Sequence, residues 1–208
     1  NITKADTLRD LAGMVALKTL TSIKPSDASP PQTAPTELPV SDYKTVLPAL
    51  KLIPATVTYG LKVTGAAVAD LAALGGDKHV TSIALSDTAS NIASGIANIK
   101  TLFAKSPTPL AKIEVTPSDD VITLTVAQAV ASKDLLSSAL FKSIHVQIND
   151  TAANIANNVT GLDSLVNAVK ANGATLDGIA ASDGNPVTVT ASDFIKDDPN
   201  LFKGNTVK

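Results

Sequence analysis

Apolar residues in this chain follow two alternating periods. After Asp150, residues Ile155, Val159, Leu162, Val166 and Val169 recur at helical spacing, one buried stripe on an α-helix. After Asp87 the equivalent stripe is Ile92, Ile96, Ile99 and Phe103. Between the helical stretches the period falls to two. Ile122, Leu124 and Val126 interleave with Thr123 and Thr125, Ile144, Val146 and Ile148 with His145 and Gln147, and Val187 and Val189 with Thr188 and Thr190. Alternation with β-branched residues predicts strands with one buried face. Further short strands ending in a Ser-Asp corner are predicted at 22–27 and 82–87, with looser forms at 113–119 and 179–183.

The alternation repeats. The pattern Asp-Thr-x-x-[Asn/Asp]-[Ile/Leu]-Ala opens at Asp6, Asp87 and Asp150, and a worn copy covers Ala66–Ala72. Asp87 and Asp150 read as helix N-caps, because a carboxylate there accepts from first-turn amides and favours the positive end of the helix dipole. Thr125-Val-Ala-Gln128 has capping-box spacing, and Thr190-Ala-Ser-Asp193 has it loosely. Ile92, Ile148, Ile155 and Leu162 are the expected core positions. The units fall at 1–86 (a first repeat and an extra half-unit), 87–149 and 150–208. The stretch 25–39 holds five of the twelve prolines and is expected to lack regular structure. The predicted fold is α/β: an elongated, solenoid-like array of strand–helix units with mainly parallel strands. A compact doubly wound sheet is the competing architecture.

Composition narrows the function. Aromatics are 3% of the 208 residues and Trp is absent, so the core is built from thin aliphatic layers. Seventeen Asp against two Glu, Glu37 and Glu114, place the acids at caps and turns rather than inside helices. Net charge is −2 and Arg9 is the single arginine, which leaves no basic footprint for nucleic acid. No apolar run reaches the roughly 18 residues of a membrane span. With no cysteine there is no disulfide, thiolate metal site or Cys nucleophile. The first repeat motif stands close to Asn1, as expected of an excerpt from a longer protein.

The segments "ITLTVAQA", "INDTAANIANNV" and "SIALSDTASNIA" resemble the degenerate Ala/Thr/Asp-rich repeats of large secreted bacterial surface proteins, adhesin-like or S-layer-like and often type I secreted. The resemblance covers nearly the whole chain and matches best over 79–185. It implies an extracellular or cell-surface, non-enzymatic segment that acts as scaffold or spacer through self-association of like repeats. The alternative is an adhesin module for a surface glycan or host ligand, with 25–39 and Gly184-Asn185-Pro186 as contact loops.

The chemistry is sparse. No Gly-x-Ser-x-Gly, phosphate loop or zinc-ligand spacing occurs, so no catalytic or cofactor-binding residue is assigned. His145 is expected to face solvent from its strand and His79 to sit in a turn. Tyr43 and Tyr59 are too few for an aromatic sugar platform. Metal binding is left open, with calcium the one cofactor considered: Asp119-Asp120, Asp183-Gly184-Asn185 and Asp197-Asp198 offer oxygens, but neither the Gly-Gly-x-Gly-x-Asp nonapeptide nor the EF-hand spacing is present.

Overall fold

The computed structural model describes residues 5–17, 34–54, 56–117 and 120–188, apart from the side chain of Asn172. The corner at 22–27, most of the Pro-rich stretch, Asp119, Val189, the Thr190–Asp193 box and Asp197-Asp198 lie outside these residues.

The chain is α/β, with parallel strands in two sheets. Its residues divide between two compact units, Asn1–Ser86 with Lys105–Lys112, and Asp87–Ala104 with Ile113–Lys208. Both the second and the third predicted repeats contribute to the second unit.

The first unit opens with α1 (Ala5–Ala16), β1 (Thr36–Pro39) and α2 (Val40–Leu50). β2 (Leu61–Ala66), a single 3₁₀ turn at Val68–Asp70, α3 (Leu71–Gly76) and β3 (Val80–Asp87) come next. β1 is a correction to the expected irregular 25–39 stretch. Pro39 closes it, so the missing proline amide removes no interior ladder bond. β1 pairs with β2 and β2 with β3, both in parallel. β4 (Leu110–Val115) completes a four-stranded sheet in the order β1-β2-β3-β4. The buried face carries Leu38, Leu61, Val63, Ile83 and Leu85, α2 packs against β1 and β2, and Val46, Leu71 and Leu74 are buried as well.

In the second unit the stripe after Asp87 forms two helices, α4 (Ala89–Ser94) and α5 (Ile96–Phe103), meeting at Gly95. Ile92, Ile96 and Ile99 are buried as expected, but Leu102, three residues after Ile99, rather than Phe103 completes the stripe, and Phe103 is half-buried. β5 (Ile122–Leu124) stops two residues short of Val126, which is the first residue of α6 (Val126–Ala131). α7 (Lys133–Leu136), a 3₁₀ turn at Ala139–Phe141, β6 (His145–Asp150), α8 (Ala152–Ala156), α9 (Val159–Asn172) and β7 (Thr175–Ala181) complete the unit. The strands form a parallel sheet in the order β5-β6-β7. Its register aligns Leu124, Ile148 and Ile179 in one apolar row. Thr123, His145, Gln147 and Asn149 alternate onto the opposite face. The predicted stripe Ile155, Val159, Leu162, Val166 and Val169 is buried throughout, but it runs over two helices, α8 and α9, rather than the expected one.

Candidate functional site

The repeated motif folds into a hydrogen-bond ring at the start of a helix. At α4 the N-cap is Thr88: its Oγ1 accepts from the amide of Asn91 at 3.2 Å. Asp87, one residue earlier, accepts through Oδ1 from the Thr88 amide at 2.8 Å and from Asn91 Nδ2 at 2.7 Å. α8 repeats the geometry. Thr151 Oγ1 accepts from the Asn154 amide at 3.2 Å, and Asp150 Oδ1 accepts from the Thr151 amide at 2.8 Å and from Asn154 Nδ2 at 2.7 Å. The expected N-caps Asp87 and Asp150 are therefore corrected by one residue. Threonine caps, and the aspartate Oδ1, accepting from both the cap amide and the asparagine Nδ2, ties the cap to the third helical residue.

Other helix starts solve the same problem, the orphan amide, with their own residues. At α6, Thr125 is the N-cap expected from the sequence, and Gln128 Oε1 accepts its amide at 2.9 Å in a reciprocal capping box. In the worn copy Ala67 stands in the threonine position, and Asp70, in the asparagine position, reaches back to accept the Ala67 amide at 3.1 Å. The copy at Asp6 forms no such start. Asp6 and Thr7 already lie inside α1, and Asp10 replaces the asparagine, so the side-chain donor is lost and a second carboxylate stands in its place. Arg9 instead donates to Asp6 Oδ1 at 2.6 Å and to Asp42.

Within the second unit these carboxylates also join successive strand–helix segments. Asp150, at the end of β6, accepts through Oδ2 from the amide of Val126, the first residue of α6, at 3.0 Å. Asp183, just past β7, accepts from the amide of Ala152, the first residue of α8, at 3.2 and 3.3 Å. In both cases the acid past one strand serves the helix launched by the strand beside it. The Asp150 main chain joins in, its carbonyl accepting from Ser182 at 2.8 Å as that of Asp87 accepts from Thr116 at 2.9 Å. Gly184, at φ +67°, turns the chain so that Asn185 also donates to Asp183, at 3.2 Å. Burial alone would raise the Asp150 pKa, but the Asn154 side chain and the Thr151 and Val126 amides outweigh it and hold the carboxyl below its ordinary range. Asp183 is lowered in the same way by Asn185 and Ala152 against its own burial.

A second cluster, in the first unit, gathers side chains that sequence spacing keeps apart. Tyr59 and His79 stack with ring centroids 3.9 Å apart and planes inclined by 5°. The His79 amide donates to Asp77 Oδ1 at 2.9 Å, and the Tyr43 hydroxyl donates to Asp77 Oδ2 at 2.9 Å. His79 Nδ1 lies 3.3 Å from the Tyr59 carbonyl oxygen, which calls for a hydrogen on Nδ1 and leaves Nε2 as the other ring nitrogen. These residues border a cleft of about 430 Å³ that Leu47, Leu50 and Ile53 line with apolar surface. Burial pushes the Tyr59 hydroxyl up to about 12, helped by the Asp77 charge. Burial also raises Tyr43, followed by its bond to Asp77. Nothing in their spacing joins Tyr43, Tyr59 and His79 beforehand. Their one shared signal is that the chain's two tyrosines and one of its two histidines fall in its first 79 residues.

His145 faces outward from β6 as expected, with Nδ1 2.8 Å from Asp177 Oδ1. Among the described residues, no Ser or Thr hydroxyl is bonded to either histidine. Nor, among them, do three His, Asp or Glu side chains converge as a metal site would require. The Asp183 carboxylate, one of the calcium candidates, is turned toward backbone amides. No family model, curated protein or solved structure matches the chain.

Proposed function

We propose that this chain is a non-enzymatic structural repeat segment of a secreted bacterial cell-surface or extracellular-matrix protein, in which like strand–helix units continue one another as an elongated scaffold. The observation that carries this reading is the double duty of Asp150. One oxygen closes the start of its own helix, and the other holds the first amide of α6. Asp183, which starts no helix among the described residues, holds the first amide of α8 in the same way. A device that satisfies one segment's helix with the next segment's acid suits a chain built by adding similar segments, since each needs its neighbour. The order β5-β6-β7, with every pairing parallel, supports the same reading. Self-association then arises from one unit offering another the edge that its own next segment would have used.

Small-angle scattering combined with light scattering across a concentration series tests this. A particle much longer than wide, whose mass grows with concentration along that long axis, is expected. A monomer at every concentration with the radius of gyration of a compact 208-residue domain, about 17 Å, would overturn the scaffold reading.

A further inference from the structure

We propose that the cleft beside the stacked Tyr59–His79 pair binds a small anionic amphiphile: an apolar aliphatic or aromatic body bearing one carboxylate. This is independent of the scaffold role. The cleft, at about 430 Å³, falls within the roughly 300–1,000 Å³ of small-molecule sites. Its surface is divided by chemistry. Leu47, half-buried, offers aliphatic contact that would exclude water from a hydrocarbon body, backed by the buried Leu50 and Ile53. The polar side is set by Asp77, whose two oxygens already accept from the Tyr43 hydroxyl and the His79 amide. Each oxygen of that carboxylate thus already accepts one bond in holding the rings. Lys51 and Lys78 are exposed on the lining, and neither has a carboxylate partner among the described residues. Two ammonium groups with no carboxylate partner among the described residues, beside an aliphatic surface, select an anion with an apolar tail over a cation or a neutral polyol.

The rings supply rigidity rather than a stacking platform. Tyr43 and Tyr59 are only 4% and 7% exposed, so a sugar has no open aromatic face to lie on. The ligand instead meets their edges and the leucine side chains, with its carboxylate toward the lysines.

The chain has two tyrosines, both on this cleft, and no tryptophan, so its intrinsic emission reports on this site alone. Octanoate, octanol and octylammonium are each titrated into the protein, with calorimetry for affinity and tyrosine emission for location. Octanoate is expected to bind saturably and change the emission, with the other two at least tenfold weaker. The double variant Lys51→Ala/Lys78→Ala should bind octanoate at least tenfold more weakly while keeping the thermal melt of the parent. Absence of octanoate binding, octanol binding as tightly as octanoate, or undiminished binding by the double variant would each overturn the proposal.

Discussion

The two units spend similar sequence on different ends. In the second, faithful copies of the motif build near-identical helix starts at Asp87 and Asp150, whose bond lengths agree pair by pair. In the first, the copies have drifted. Asp10 replaces the asparagine in one, and in the other alanines replace the Asp-Thr pair, leaving Asp70 to serve the first amide from the far side. That unit instead holds both tyrosines in a hydrogen-bonded cleft. The worn copy retains the buried aliphatic, Leu71 being as inaccessible as Ile92 and Ile155 in the faithful ones, whereas Leu11 of the Asp6 copy is only half-buried and Leu8 is buried in its place. A buried aliphatic is kept wherever a helix must cover the sheet. The polar ring is kept in the second unit, where at Asp150 the same carboxylate also serves the start of α6.

The largest expected effect separates the units by their helix-terminal glycines. A Cβ on Gly173, just past α9, would lie 2.3 Å from the Leu136 carbonyl oxygen and 2.6 Å from the Ser137 Cα, both backbone atoms that cannot rotate away. Gly173→Ala is expected to lower stability by about 3 kcal/mol, the upper end for overpacking. Gly76, which ends α3 in the first unit, has nothing within 4 Å of the added carbon, and Gly76→Ala should be neutral or stabilising by up to about 1 kcal/mol. Equal losses in chemical denaturation would remove this distinction.

Next comes the motif itself. Asp150→Ala removes the acceptor from two amides and the Asn154 side chain, and is expected to cost about 2 kcal/mol. Asp6→Ala, at the same motif position but 94% exposed, should change stability by less than about 0.5 kcal/mol. Because the folded-state pKa of Asp150 is depressed, its contribution is fully present above the unfolded value, about 3.9, and is lost as pH falls through the lower folded value. The melting temperature of the parent should therefore drop below about pH 4 more steeply than that of Asp150→Asn. Parallel curves would show that the charge contributes nothing.

The smallest expected effect lies in the cleft. Tyr43→Phe deletes a hydroxyl bonded to Asp77 while keeping the ring, and should cost about 1 kcal/mol. Both tyrosine pKa values are raised, so the stability from keeping them neutral is present below the unfolded value, about 10, and is lost as pH rises through the folded values. Tyrosinate absorbance should thus appear only with unfolding. Half-ionisation near pH 10 with the fold intact would contradict the buried placement.

Much of the second unit was legible in the sequence, because its signals are local. The stripe from Ile155 to Val169 and the alternation through Val146 and Ile148 each need only a few neighbouring residues to be read. The cap assignment slipped by one residue because Asp and Thr are adjacent and both are strong N-caps. Aligning the copies on threonine would have resolved it, since Thr88, Thr125 and Thr151 all precede an amide side chain by three residues, whereas Leu124 shows that the aspartate is dispensable. The bonds from Asp150 to Val126 and from Asp183 to Ala152 were not legible, for they depend on which strand lies beside which. The cleft was hidden for the same reason: Tyr43 and Asp77 are 34 residues apart and meet only through the fold.

The link between segments is tested most directly by amide hydrogen exchange at Val126 in two variants, Asp150→Ala and Thr151→Ala. Both weaken the start of α8, but only the first removes the acceptor from the Val126 amide. With exchange normalised to global stability, Val126 should exchange about tenfold faster in Asp150→Ala than in Thr151→Ala, the factor that about 1.4 kcal/mol of lost local protection would give. Equal rates at Val126 in the two variants would contradict the claim that the motif's aspartate ties one strand–helix segment to the next.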